Sequence, residues 1–328
     1  MNTFWAIVML LAGMVLLVKG ADWFVDGASN IAKALKIPSL VIGLTLVSMG
    51  TSAPEASVSI TSAAQDMSDM SIGNVVGSNI FNTLFILGIS AVVVPLIVDR
   101  EMKFFDIPIM VGVYIVLILF SFVVTPGKLD IFEGIVMLLL FAGYITFLIL
   151  RTKKANKKKA EELQGGETLN AEEEKKQPLW KSILFAILGL AGIILGGTLS
   201  VDGAEFLALE LGMSEALVGL TILAVGTSLP ELVTSVVASV KKENDIAVGN
   251  VIGSNIFNVI FILGMSSVIS PLGVSGMDGL MDMLVMLGTG VVTLFLGFFS
   301  KRIYKWQGAI MIALYVGYLA YIIARNYA

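Results

Sequence analysis

Neither cysteine nor histidine occurs anywhere in the 328 residues. Their absence removes thiol chemistry, disulfides, imidazole metal ligands and histidine proton relays together, and leaves oxygen as the ligand atom for any cation. Without them an intramembrane enzyme is the least supported class, since the usual nucleophile–base constellations are missing. Charge is scarce as well. Asp, Glu, Lys and Arg make up 14% of the chain, against 57% hydrophobic residues and a mean hydropathy of +0.92. That balance excludes a soluble globule, and several apolar runs approach the roughly 20 residues needed to cross a bilayer. No EF-hand loop or nucleotide-binding motif is present, so ATP-driven pumping has no support. The net charge of −4 carries no message here, because topology sorts the ions. What the chain has instead is glycine, 33 residues of it, which suits close helix contact and broken helices inside a membrane bundle.

Apolar runs separated by short polar or Gly/Pro breaks predict ten spans, near residues 3–32, 38–64, 71–97, 104–124, 130–150, 178–209, 214–240, 246–270, 279–299 and 304–324. The first run lacks a cationic start and reads as a retained helix rather than a signal peptide. With the N-terminus outside, Lys33, Lys36, Arg100, Lys103, the 151–181 cluster, Lys241, Lys242, Lys301, Arg302 and Lys305 fall inside, and Lys128 and Arg325 fall outside. This follows the positive-inside rule and predicts both termini outside. Residues 151–177 hold a basic block followed by an acidic one with no apolar periodicity, which reads as a solvated cytoplasmic linker.

The segment from Gly43 to Gly88 occurs twice. Shifted by 176 residues it returns as Gly219 to Gly264, ungapped, with 23 of 46 positions identical. The first copy reads GLTLVSMGTSAPEASVS and then IGNVVGSNIFNTLFILG; the second reads GLTILAVGTSLPELVTS and then VGNVIGSNIFNVIFILG. Five spans precede the linker and five follow it, so the copies enter the membrane with opposite orientation. The expected fold is therefore an all-α polytopic membrane protein of ten transmembrane helices in two five-helix inverted-topology repeats, residues 1–150 and 178–328. Secondary transporters are built this way, with the substrate site near the midplane where the halves meet.

Glu55 and Glu231 stand in register in the two copies. A carboxylate in a lipid-spanning segment costs about 2.5–3.5 kcal/mol on insertion scales and is rarely kept without a job. Pro54 and Pro230 each remove a backbone donor, so the GTSxPE segments should break their helices just before the glutamate and expose carbonyls, with Gly50 and Gly226 easing the distortion. The hydroxyls of Thr51, Ser52, Thr227 and Ser228 lie within a turn of those carboxylates. Ser78 and Asn82, like Ser254 and Asn258, are four apart and share a helix face. Ca²⁺ takes about 6–8 oxygens at flexible geometry, and such a cage suits it better than Mg²⁺, which dehydrates reluctantly. Na⁺ uses the same oxygens. Two carboxylates neutralise one Ca²⁺ or two Na⁺, and a further Na⁺ makes the exchange electrogenic. Blander readings attach to the rest. Gly73, Gly77, Gly249 and Gly253 read as packing contacts, and Asn74, Asn79, Asn250 and Asn255 as caps or bridges of broken helices. Asp22, Asp26, Asp202, Glu205 and Glu210 read as interfacial charges.

GTSAPE with GNVVGSNIFN, and GTSLPE with GNVIGSNIFN, resemble the two alpha repeats of the cation/calcium exchanger superfamily, specifically a sodium/calcium exchanger of the prokaryotic type with its short linker. The resemblance covers essentially the whole ten-span core and implies Na⁺-driven Ca²⁺ extrusion by alternating access, the first and sixth spans sliding across the rest. The family's ion ligands fall on Glu55, Glu231, Thr51, Ser52, Thr227, Ser228, Ser78 and Ser254, with backbone carbonyls at Ser48 and Ala224. Where some relatives carry aspartate in one copy, this chain has asparagine in both, Asn82 and Asn258, which argues against potassium co-transport and against a proton-titratable group there. Ca²⁺ and Na⁺ are then substrates, and no resident cofactor, nucleic acid or obligate protein partner is expected. The default location is the cell membrane. Competing readings are a proton- or sodium-coupled exchanger of another cation such as Mn²⁺, and a passive channel or membrane scaffold.

Overall fold

The computed structural model describes residues 2–164, 178–212, 224–274 and 276–327, and among these the chain is helical apart from turns and four two-residue strands. Helix α1 is Thr3–Leu35. Its 33 residues span about 50 Å, well beyond a hydrocarbon core of about 30 Å. Asn2 caps it, accepting from the Trp5 amide at 3.0 Å, and Lys36 ends it in the left-handed region at φ 56°. Next come α2, Ser39–Thr51, and α3, Ala53–Ala64. The first half closes with α4, Ser68–Val93, α5, Met102–Val124, and α6, Ile131–Gln164. The second half holds α7, Leu179–Glu210; α8, Ala224–Gly226; α9, Leu229–Val240; and α10, Asn244–Ile269. It ends with α11, Gly276–Phe299, and α12, Lys305–Tyr327.

Among the described residues, eight of these helices are long and apolar enough to cross a membrane: α1, α4, α5, α6, α7, α10, α11 and α12. The expected spans 38–64 and 214–240 are different. The first is split at Ser52 into α2 and α3, and the second shows the same break at Thr227–Ser228 between α8 and α9, while residues 214–223 lie outside the described set. Helix α6 runs past the expected end at residue 150 to Gln164, so the basic start of the linker is helical, as its Ala, Lys and Glu content favours.

Burial separates a centre from a lipid-facing rim. The apolar windows of α4 and α10 are 78% and 94% buried, against 17–39% for the other six. Outward side chains such as Phe4, Leu11, Leu139 and Phe295 are correspondingly exposed. Helices α1 and α7 pack antiparallel along small residues, Gly13 against Gly196 and Ser200, Gly20 against Gly189 and Ile193, and Gly27 against Ser182 and Ala186. A Cβ on Gly20 would stand 2.6 Å from Ile193 N, so only glycine lets the backbones approach this closely. Two short antiparallel pairs tie the loops: Leu96–Ile97 (β1) with Arg302–Ile303 (β4), and Lys128–Leu129 (β2) with Leu272–Gly273 (β3).

Candidate cation-binding site

The breaks at GTSxPE do most of the positioning. Pro54 and Pro230 sit in the first turns of α3 and α9, where a missing N–H costs nothing because the first amides of a helix have no intrahelical partner. Glu55 and Glu231 follow at once, in the same first turns, where unpaired amides and the helix dipole favour negative charge. Both side chains are fully buried at 0% exposure.

Each glutamate is held by a hydroxyl from the other copy. Ser52 Oγ donates to Glu231 Oε1 at 2.7 Å, and Ser228 Oγ donates to Glu55 Oε1 at 2.8 Å. Ser228 Oγ also lies 3.2 Å from Ser78 Oγ, which joins the GSNIFN helix to the pair. The second oxygens, Glu55 Oε2 and Glu231 Oε2, are buried with no partner among the described residues, and neither carboxylate meets a lysine or arginine there. Two buried negative charges with no cationic side chain beside them call for a cation, since an unpaired buried charge is costly. Among the described residues no group of three or more His, Cys, Asp or Glu forms.

A shell of amides fixes this arrangement. Asn74 Nδ2 donates to the Glu55 carbonyl at 3.3 Å and to Ser59 Oγ at 2.8 Å; Asn250 Nδ2 does the same to the Glu231 carbonyl at 3.3 Å and Ser235 Oγ at 2.9 Å. Of the two roles expected, capping or bridging, these two asparagines take the second, tying α4 to α3 and α10 to α9. Asn82 and Asn258 each open a π-helical stretch, Asn82–Ile86 and Asn258–Leu263, a local widening frequent at functional sites. Asn79 and Asn255 meet across the copies, Asn79 Nδ2 donating to the Asn255 carbonyl at 3.0 Å.

The other expected site residues divide by copy. Thr51 Oγ1 donates to Asn250 Oδ1 at 3.0 Å, whereas Thr227 Oγ1 has no partner among the described residues. The Ser48 carbonyl accepts from the Ser52 amide at 3.0 Å, Thr51 Oγ1 at 3.3 Å and Ser254 Oγ at 3.4 Å. Ala224 opens α8. A cavity of about 770 Å³ is lined by Ser78, Asn74 and Thr227, by Asp202 of α7 and by Tyr315 and Tyr318 of α12. Gly73 and Gly77 line it, while Gly249 and Gly253 are the packing contacts expected, pressed against Leu40 and Leu44. Asp22 and Asp26, partly exposed, are paired with Lys241, whose Nζ lies 2.7 Å from each. The part played by the last helix carried no motif, and its tyrosines became visible only through packing.

A family model described as sodium/calcium exchanger protein matches residues 5–150 and 181–324. The chain belongs to the sodium/calcium exchanger family. The exchanger is 38% identical over 317 residues to the putative antiporter CaxA of Alkalimonas amylolytica, covering 95% of this chain and 97% of that one. It is 34% identical over 337 residues to the sodium/calcium exchanger MaX1 of Methanosarcina acetivorans, covering 94% and 96%. Its fold matches a solved structure of the sodium–calcium exchanger NCX_Mj with a TM-score of 0.83 at 30% identity, over 98% of this chain and 100% of that chain. The protein is thus a membrane transporter of the antiporter type and not an enzyme, as the lack of cysteine and histidine led one to expect.

Proposed function

We propose that this exchanger is an electrogenic Na⁺/Ca²⁺ antiporter of the cell membrane that extrudes Ca²⁺ at the expense of the Na⁺ gradient. The crossed pair of bonds, Ser52 to Glu231 and Ser228 to Glu55, carries the reading. It makes one site from two copies of one motif and leaves a bare oxygen on each carboxylate. Glu55 and Glu231 are the shared ligands, for which Na⁺ and Ca²⁺ compete. Thr51, Ser52, Thr227, Ser228, Ser78, Ser254, Asn82 and Asn258 supply neutral oxygens, with the carbonyls of Ser48 and Ala224. Two charges balance one Ca²⁺ or two Na⁺. A third Na⁺ would leave net positive charge in transit, worth about 2.3 kcal/mol per 100 mV and so driven by a negative-inside potential.

Ten spans in two inverted five-span repeats, 1–150 and 178–328, would place the linker in the cytoplasm and both termini outside. The cavity beside Asp202 and Thr227 then faces outward, and alternating access is a slide of the α1–α7 pair across the remainder. The glycine-to-glycine contact of α1 and α7 supports their moving together.

The test is calcium-45 uptake into proteoliposomes loaded with Na⁺ and diluted into Na⁺-free buffer under a potassium/valinomycin clamp. Uptake that needs internal Na⁺, grows as the bath from which Ca²⁺ leaves is made negative relative to the lumen, and vanishes in Glu55→Gln and Glu231→Gln bears the proposal out. Uptake indifferent to Na⁺ but driven by a pH gradient, or preference for Mn²⁺ over Ca²⁺, would replace it with the proton-coupled or other-cation reading.

A further inference from the structure

The orientation of the two amides Asn82 and Asn258 is dictated from outside the site, by a chain of bonds that begins at two backbone carbonyls. A backbone carbonyl can only accept, so the atom of Asn79 that faces the Asn255 carbonyl at 3.0 Å is its NH₂. Asn79 Oδ1 is thereby turned the other way, where it accepts Asn258 Nδ2 at 3.1 Å. The remaining atom of Asn258, its Oδ1, is buried and without a partner among the described residues.

The other half reaches the same end by a different route. Thr83 Oγ1 commits its proton to the Asn79 carbonyl at 2.8 Å, so what it offers Asn255 is a lone pair. Asn255 meets it with Nδ2, also at 2.8 Å, and the same nitrogen lies 3.5 Å from Met110 Sδ. Asn255 Oδ1 then accepts Asn82 Nδ2 at 3.2 Å, and Asn82 Oδ1 is the buried atom left over. The anchor in this half is a hydroxyl, and the second copy has no counterpart to it, because Val259 stands where Thr83 stands in the first.

We propose that Asn79, Asn255 and Thr83 are positioning residues for cation exchange: they hold Asn82 and Asn258 so that each turns its oxygen, not its NH₂, toward the cation. This rests on the reading of Asn82 and Asn258 as neutral ligands. The physical stake is the sign of the dipole. A cation binds an amide oxygen and is repelled by an amide NH₂, and an asparagine has nearly the same shape with the two exchanged. Without a device that consumes the nitrogens, both orientations would be populated. The cross-repeat bonds consume them, and they do so with groups that never touch the ion.

Thr83→Val tests this, since valine already occupies the matching place in the second copy. Removing the anchor frees Asn255 to rotate and lets Asn82 present NH₂. Loss of an outer partner of a metal ligand typically costs about 10–100-fold in affinity, so the half-saturating Ca²⁺ concentration in Na⁺-loaded proteoliposomes should rise at least about tenfold with little change in maximal rate. Thr83→Ser keeps the hydroxyl and should restore it. The decisive comparison uses Asn82→Asp as background. A carboxylate presents oxygen in either orientation, so adding Thr83→Val to it should change the half-saturation no further. Thr83→Ala takes the place of Thr83→Val should the latter fail to assemble. Wild-type half-saturation in Thr83→Val, or its full effect persisting on Asn82→Asp, overturns the proposal. Failure of the site reading itself shows separately, as uptake that survives Glu55→Gln and Glu231→Gln.

Discussion

Ser52 in the first repeat donates its hydroxyl to Glu231 in the second at 2.7 Å, and Ser228 returns the bond to Glu55 at 2.8 Å. A hydrogen bond to a buried charged group is worth about 1.5–3 kcal/mol, and about 1.4 kcal/mol is a factor of ten in affinity. Ser52→Ala should therefore raise the half-saturating Ca²⁺ concentration by about tenfold or more, by letting the Glu231 carboxylate rotate away from the orientation that leaves Oε2 bare. Ser228→Ala should act alike through Glu55. Calcium-45 uptake over a concentration series checks both, and an unchanged curve in either would detach the crossed bonds from binding.

Glycines that look equivalent in the sequence differ in consequence. A Cβ on Gly20 would stand 2.6 Å from Ile193 N and 2.8 Å from the Gly189 carbonyl, both backbone atoms that no rotamer change can move. Gly20→Ala must part α1 from α7, at a cost of about 1–3 kcal/mol for overpacking. Gly112 in α5 has no described atom within 4 Å of the same position. Alanine there removes the entropic penalty of a mid-helix glycine and should stabilise by about 0.5–1 kcal/mol. Melting temperatures in detergent should move in opposite directions, and Gly20→Ala should also slow transport if the two helices move as a pair.

The local chemistry of the candidate site was legible in the sequence because duplication wrote it twice in register. Glu55, Pro54 and Ser52 needed only Glu231, Pro230 and Ser228 to be recognised. The helix break was legible for a similar reason, since proline acts on its own backbone. What depends on packing between distant elements was not legible. Asp22 and Asp26 gave no hint of their partner until α1 is laid beside Lys241 at the end of α9. Thr83 carried no motif, and its one signal was negative: a hydroxyl at the position where the other copy has Val259. The helical run to Gln164 was hidden by charge, which removes the apolar period while leaving helix propensity intact.

Two ion pairs of similar length should differ in worth by their burial. Arg151 Nη1 lies 2.7 Å from Asp106 Oδ1, with Asp106 0% and Arg151 9% exposed; Lys241 lies 2.7 Å from Asp26, which is 56% exposed. Arg151→Gln strands a buried carboxylate and should cost about 3–5 kcal/mol, whereas an exposed pair contributes about 0–1 kcal/mol. Lys241→Gln should thus barely shift the melting temperature. Adding Asp106→Asn to Arg151→Gln should recover most of the loss, because the penalty comes from the charge left behind. A double variant as unstable as the single one would mean that Arg151 acts through packing instead.

Cation binding should itself be measurable as stability. An ion that binds the folded exchanger alone stabilises it by RT ln(1 + [L]/Kd), about 2.7 kcal/mol at a hundredfold excess over Kd. With two buried carboxylates and no cationic side chain beside them among the described residues, the ion-free protein holds uncompensated charge or must take up protons, so Ca²⁺ should raise the melting temperature in detergent and chelation should lower it. Na⁺ should do the same at higher concentration, and the two should not add, because they compete for Glu55 and Glu231. Glu55→Gln with Glu231→Gln removes the charge that makes binding favourable. The double variant should therefore melt at one temperature with or without Ca²⁺, and that temperature should not fall below that of the ion-free parent, because a neutral amide is cheaper to bury than a lone carboxylate. A Ca²⁺-dependent rise that survives in the double variant would place the binding site elsewhere in the molecule.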